Sequence, residues 1–345
     1  MTLLHDVLDP AELVAAIENG HVRPQRHPTR DFVIYNYTEA CQYSGAWTPI
    51  TLACRGLVVD GAGRIVARPF PKFFNHDQLQ AALDLAAPVT VTDKADGSLG
   101  VIYHDGSGYA VATRGSFASD QALHATSVLR TRYASFVPPA GLTVLVEIIY
   151  PGNRIVVDYQ GMDDLVLLGA VDIATGRSFG PDAVPDWPGP VVETFGYPTL
   201  ADALAAPPRA GREGLVVHFT AADQRVKIKY VEYVRLHRLV TGLTPRTVWD
   251  VLANGGDLDV LTAPLPDEFH VWVRGVAADL TAAVEARAAE VEAAYAEIVA
   301  ALPAGWGRKE FAAAATRSEF RGELFRRLDG KDYRPGLWQR ARPAG

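Results

Sequence analysis

The chain has 345 residues, 48% of them hydrophobic and 21% charged, with a formal net charge of −7. This is the composition of an ordinary globular protein long enough for two domains, and it excludes nucleic-acid binding by overall charge, leaving only a local basic surface. Cys41 and Cys54 are the only cysteines, too few for a disulfide framework or a structural zinc site, and no apolar run approaches the ~20 residues of a membrane span. The first residues lack the basic-then-apolar pattern of a secretory signal, so the expected setting is the cytoplasm, with no membrane partner.

In chain order, Asp9-Pro10-Ala11-Glu12 opens a short amphipathic helix with Leu13, Ala16 and Ile17 at helical spacing. Residues 32–37 read as a strand, and Thr38 caps a turn into Glu39-Ala40-Cys41. Residues 52–60 form a near-continuous apolar run interrupted by Arg55, and Gly61-Ala62-Gly63 turns it into 64–68, a β-hairpin pattern. An arginine inside an apolar strand needs an anionic partner, either an internal carboxylate or a ligand phosphate. A short helix is expected over 76–86, after Pro71-Lys72-Phe73-Phe74-Asn75.

Strands separated by turns follow at 89–93, 100–104, 109–113, 143–149, 154–157, 165–172 and 214–219, with one helix at 119–133 and a proline-rich loop at 181–190. One more strand, 225–230, places Lys227 and Lys229 on one face and Val226 and Ile228 on the other. The short turns leave no room for crossover helices, so the sheets should be mostly antiparallel. Beyond residue 240 the pattern turns helical. Apolar residues from Phe269 to Leu302 keep the period of one long amphipathic helix over 268–302, which Pro303-Ala304-Gly305 ends. From Arg308 to Arg342 ten lysines and arginines stand against five acids.

The stretch Val91-Thr92-Asp93-Lys94-Ala95-Asp96-Gly97-Ser98-Leu99-Gly100 carries the chemistry. A strand delivers a lysine, an acid and two glycines, and glycines let a phosphorylated ligand approach the backbone. A lysine there serves as cation or nucleophile. Glu147 lies in a strand apolar on both faces and must meet a cation, a hydroxyl or a metal. Glu213 opens a second buried strand, Lys227 and Lys229 would repel one another without an anion between them, and Arg114 adds a cation at a strand end. Each feature has a plain structural explanation. Their ordered combination is what nucleotidyl transfer needs: a nucleophilic lysine that can shed its proton, and cations or a metal that stabilise charge on the phosphates.

The order Lys94-Ala95-Asp96-Gly97, Glu147, Glu213-Gly214, Lys227-Ile228-Lys229 resembles the motifs of the covalent nucleotidyltransferases, which comprise RNA ligases, DNA ligases and mRNA-capping enzymes. Over about residues 30 to 240 the chain is more narrowly similar to the bacteriophage RNA ligase 1 type, through Asn36-Tyr37, Cys54-Arg55-Gly56, Lys72-Phe73-Phe74-Asn75, Thr113-Arg114-Gly115-Ser116 and Asn153-Arg154-Ile155-Val156. Ala95 stands where that group often has glutamate, and Arg114 where lysine is common; the second keeps its charge.

The resemblance implies an α+β chain: a two-sheet, mostly antiparallel, ATP-grasp-like nucleotidyltransferase domain over 1–240, then an all-helical domain over 241–345 that serves RNA specificity. It implies an ATP-dependent RNA ligase engaged in RNA repair, with Lys94 attacking the α-phosphate of ATP and carrying AMP. Asp96 and Glu147 would contact the ribose or position a metal, and Glu213 would be a second metal-side acid. Lys227 and Lys229 would grip the α-phosphate, Arg55 and Lys72 the outer phosphates, and Tyr37, Phe74, Gly97 and Arg114 would complete the ATP site. The implied cofactors are ATP and magnesium or manganese. The implied partners are an RNA with 5′-phosphate and 3′-hydroxyl ends, such as a broken tRNA, and a separate end-healing enzyme. A DNA ligase or capping enzyme would continue after the paired lysines into a small OB barrel, whereas this chain continues into helices. A non-catalytic RNA-binding relative would lack a nucleophile, an acid or a phosphate lysine, and all are present.

Overall fold

The structure is a computed structural model that describes residues 1–79, 83–262 and 267–343, with the backbone alone at 238–241 and 267–269. The chain divides into two compact units, Met1–Val240 and Thr241–Gly345.

The first unit is built on three sheets. Strands β1 (Val22–Arg26), β2 (Phe32–Tyr37), β3 (Arg55–Asp60) and β4 (Ile65–Ala67) form an antiparallel sheet in that order. The chain continues through β5 (Phe74–Asn75), β6 (Thr90–Asp93), β7 (Ser98–His104), β8 (Tyr109–Ala112), β9 (Leu142–Ile149) and β10 (Asp164–Asp172). It ends in β11 (Ser178–Phe179), β12 (Thr194–Phe195), β13 (Gly214–Phe219) and β14 (Gln224–Lys229). These make two five-stranded sheets, β11-β10-β9-β7-β8 and β12-β6-β13-β14-β5, in which only the β14–β5 pairing is parallel.

The central sheet is covered on both faces. Ala125, Val128 and Leu129 of the helix Asp120–Thr131 pack on Val144, Val146 and Ile148. Ile34 and Val58 of the first sheet pack with Val101 and Leu145 of the other face. Burial on both faces is why β9 is apolar on both faces apart from Thr143 and Glu147, rather than alternating. The third sheet has its own core of Val91, Leu215, Val217, Val226 and Ile228. Residues 94–97 are therefore the short link by which the chain leaves β6 of one sheet and enters β7 of another.

Several expectations are corrected. Val22-Arg23-Pro24-Gln25-Arg26 was not expected as a strand and pairs with β2 as an exposed edge strand, whose polar residues and proline hide it from pattern reading. The run 52–60 is not one strand. Thr48 caps a helix, Pro49–Ala53, with Pro49 in its first turn, and strand geometry begins only at Arg55. No strand forms at 154–157, for a reason that belongs to the site. Of the helix expected over 76–86, the structure describes one 3-10 turn, His76–Gln78, and residues 80–82 lie outside the described residues.

The second unit is helical. Its long helix, Asp267–Ala301, presents Val284, Ala288 and Val291 to Phe311, Leu324 and Leu337 of the helices Arg308–Ala315, Arg321–Leu328 and Arg334–Arg340. This stripe thus packs on the unit's own tail helices. The Trp249 indole N–H, on the helix Pro245–Ala253, donates to the Trp338 carbonyl at 2.7 Å.

Candidate active site

Strand β6 sets the position of Lys94. The Lys94 backbone N–H donates to the Gly214 carbonyl (3.0 Å), fixing the lysine against the start of β13. Gly214 sits at φ +154°, and a Cβ there would lie 2.0 Å from the Ile228 carbonyl oxygen, so glycine is what lets Glu213 turn into the ladder. Across that ladder Lys229 faces Gly214 and Lys227 faces Val216. The consequence is a three-centre contact: Glu213 Oε1 lies 2.7 Å from Lys94 Nζ and 2.9 Å from Lys229 Nζ. Burial would raise the Glu213 pKa, but the two ammonium groups outweigh it and hold the carboxyl below its ordinary range.

The glycine of the link is equally constrained. A Cβ at Gly97 would lie 2.5 Å from the Ile148 carbonyl oxygen, and the Gly97 N–H donates to Glu147 Oε1 at 3.0 Å. Glu147 is directly opposite Leu99 in the β7–β9 pairing. Burial pushes its pKa up to about 8; Lys94 and Arg55 oppose the shift, and Glu213 and Asp96 add to it.

Asp96 is used differently from the expectation. One carboxylate oxygen accepts from the Val156 and Val157 N–H groups at 2.9 and 2.8 Å, and the other from the Tyr233 hydroxyl at 2.7 Å. Its own N–H donates to the Tyr159 hydroxyl (2.8 Å). A buried carboxylate with both oxygens engaged this way is a staple that ties residues 156–157 to the nucleophile loop, not a group turned toward a ribose. This staple explains the missing strand at 154–157, whose N–H groups are spent on Asp96 instead of a ladder.

The remaining predicted residues contact one another through shared rings and hydrogen bonds. Arg55 pairs with Asn36 across β2–β3, and its guanidinium donates to the Phe70 carbonyl (3.4 Å). Burial lowers its pKa, opposed by Tyr37 and Glu147. Tyr37 is buried, and its hydroxyl accepts from Arg114 Nη1 at 2.8 Å. Lys72 is buried with its Nζ 5.3 Å from the Tyr37 ring and 5.3 Å from the Phe74 ring. Lys227, one register step from Lys229, lies 5.4 Å from the Phe73 ring.

Sequence reading gave no role to five contributors. Trp47, in the turn before the helix Pro49–Ala53, lies 5.0 Å from Lys72 Nζ. Phe73 lies between two better-marked neighbours in the chain. Tyr233 holds Asp96, and Arg209 ion-pairs with Asp93, just before the nucleophile, with Arg212 adding a contact at 3.4 Å. An aromatic residue flanking a strand, or an arginine in a polar loop, carries no periodic signal that would single it out.

A divalent cation of the magnesium type takes oxygen ligands and is commonly held by one or two carboxylates together with substrate phosphates. Among the described residues no group of three or more histidines, cysteines and acids is placed to hold a metal. Glu213 is taken up by two ammonium groups, which leaves Glu147 as the carboxylate suited to one. Its raised pKa marks a buried acid with too little positive charge around it, and a cation would supply that charge.

Residues 53–184 match the family model described as RNA ligase. That span holds Arg55, Lys72, Lys94, Gly97, Arg114 and Glu147, and it stops short of Glu213, Lys227 and Lys229. An RNA ligase of Rhodothermus phage RM378 is 22% identical, covering 88% of this chain and 86% of its own length. An uncharacterized protein of Ostreid herpesvirus 1 is 32% identical over 42% of this chain and 39% of its own. Among solved structures, a variant of a Naegleria gruberi RNA ligase with ATP and manganese is similar at 20% identity and a TM-score of 0.33, over 44% of this chain. The chain spans about half of that structure, 52%. Over residues 53–184 the chain thus matches the RNA ligase family model, and along most of its length it is similar to a phage RNA ligase.

Proposed function

We propose that this chain joins RNA ends at the expense of ATP, through an AMP bound to Lys94. The observation that carries the reading is the shared carboxylate: Lys94 and Lys229 both meet Glu213 Oε1, so the nucleophile and a phosphate-binding cation are held side by side. Glu213, in hydrogen-bond contact with Nζ, takes one proton from the Lys94 ammonium. The neutral amine then attacks the α-phosphorus of ATP, forming a P–N bond as the bond to the β-phosphate oxygen breaks and pyrophosphate leaves, and the proton left on the attacking nitrogen passes to water. An α-phosphate that draws Lys229 away weakens the pair holding Glu213 ionised, which makes it a better base at that moment. Lys227 and Lys229 neutralise charge at the α-phosphate, and Arg55, Lys72 and Arg114 hold the β- and γ-phosphates. A 5′-phosphate of RNA then displaces Lys94 from AMP, and a 3′-hydroxyl displaces AMP to close the phosphodiester. A divalent metal, held by Glu147 and the nucleotide, supplies further charge neutralisation at the phosphates when bound.

Incubation with ATP and magnesium should add one AMP mass to the peptide containing Lys94, and Lys94→Ala should abolish it. Full labelling of Lys94→Ala, or an adduct on another lysine, would overturn the assignment.

The helical unit is proposed to choose the RNA. Lys309, Arg317 and Arg321 are exposed on it and suited to phosphate contacts, which give salt-dependent affinity with little base specificity. A nicked tRNA stem-loop is the substrate this predicts, with ends prepared by a separate healing enzyme. A chain ending at Leu243 should still form lysyl-AMP and lose its preference for the stem-loop over a plain strand. Unchanged preference would remove the helical unit from RNA selection.

A further inference from the structure

The cations of the candidate phosphate site share one feature: each lies over an aromatic face. Arg55 and Lys227 both lie 5.4 Å from the centroid of Phe73. Lys72 Nζ is 5.3 Å from Tyr37, 5.0 Å from Trp47 and 5.3 Å from Phe74. Arg114 lies 4.9 Å from the same Tyr37, and Lys229 5.3 Å from Tyr233. Tyr37 and Phe73 are thus each shared by two cations. The rings are locked to one another edge-on, Tyr37 to Trp47 at 5.1 Å and 82°, and Trp47 to Phe74 at 5.3 Å and 75°.

Cations gathered in one cleft repel each other, and long side chains lose rotamer freedom when a ligand fixes them. An aromatic face attracts the cation through its quadrupole and carries no net charge. It holds the ammonium or guanidinium in place without adding a negative charge of its own. We propose that Trp47 and Phe73 are positioning residues of the polyphosphate site: Trp47 closes a three-ring cage that aims Lys72 at the outer phosphates, and Phe73 sets Arg55 and Lys227 on either side of the chain of phosphates. This inference rests on the reading of the cleft as a nucleotide site and adds two residues to it.

The test uses the full chain, with inorganic tripolyphosphate and AMP as separate probes in calorimetry. Trp47→Leu keeps an apolar side chain and removes the ring. It should weaken tripolyphosphate binding about tenfold, within the range of a desolvated cation–π contact, and change AMP binding less than about twofold. Trp47→Phe, which restores a ring, should recover most of the loss. Phe73→Leu should weaken both probes by at least about threefold, because its ring also holds Lys227, and it carries the test should Trp47→Leu not fold. In lysyl-AMP formation the Trp47→Leu defect should appear in the KM for ATP more than in kcat. Unchanged tripolyphosphate affinity in both leucine variants, or equal loss of both probes in Trp47→Leu with no recovery in Trp47→Phe, would overturn the proposal. A parent chain that binds no tripolyphosphate would overturn the nucleotide reading itself, and this inference with it.

Discussion

The helical unit and the candidate site differ in what answers their positive charges. In the helical unit each of four arginines meets an acid, two of them beside a ring as well: Arg308 meets Asp329 and the Phe325 ring, Arg327 meets Glu292 and the Tyr295 ring, Arg334 meets Glu285, and Arg340 meets the buried Glu323. At the candidate site Arg55, Lys72, Arg114, Lys227 and Lys229 each lie against a ring, and Glu213 lies between Lys94 and Lys229. A cation satisfied by an exposed carboxylate holds a helix surface together weakly and in a salt-dependent way. A cation against an aromatic face is held in place by a group that brings no negative charge. The number of basic residues is therefore a poor guide to where phosphate binds; their neighbours decide it.

The sharpest way to break this comparison is at Glu213. Glu213→Gln removes the negative charge that Lys94 and Lys229 share, leaving two ammonium groups around a buried neutral amide. Stability should fall by about 3–5 kcal/mol in urea unfolding, and lysyl-AMP formation should drop by at least about a hundredfold in single-turnover labelling. A variant as stable as its parent would show that the carboxylate does not hold the pair together.

Glu147 should behave in the opposite sense. Its folded pKa of about 8 lies above the value near 4.3 expected in the unfolded chain, so the folded state binds the extra proton between those limits. Its contribution to stability is fully present below the unfolded pKa and is lost as pH rises through about 8. Unfolding measured from pH 5 to 8 should show a decline of up to about 1.4 kcal/mol per pH unit, which Glu147→Gln removes. A nucleotide-bound magnesium ion favours the carboxylate, so its binding should release a proton, detectable as a buffer-dependent heat.

In the helical unit the effects should be smaller. Arg340→Ala leaves the buried Glu323 carboxylate without its 3.0 Å partner and should cost about 1 kcal/mol. Arg308→Ala breaks a fully exposed pair with Asp329, and its melting temperature should be indistinguishable from the parent's at physiological salt. A large loss there would mean that the surface pairs, and not the core around Val291 and Phe311, hold this unit together.

The sequence by itself determined the local features: the strands on either side of Lys94, the pairing of Lys227 and Lys229 on one strand face, the long helix with its apolar stripe, and the order of motifs that resembles the RNA ligases. These follow from side-chain period and short-range backbone preference, which neighbouring residues set. Only the tertiary structure decided how the polar groups are spent. Asp96 sits in the motif as a catalytic acid would, yet its carboxylate holds Val156, Val157 and Tyr233, residues at least 60 positions away. Glu213 has the place of a metal acid and is shared by two lysines. Trp47 lies in no motif and Phe73 lies in one without a role of its own, and they become ring partners of Lys72, Arg55 and Lys227. A buried charge or ring takes its role from the groups that folding brings within a few ångströms, and those partners come from strands and loops far apart along the chain.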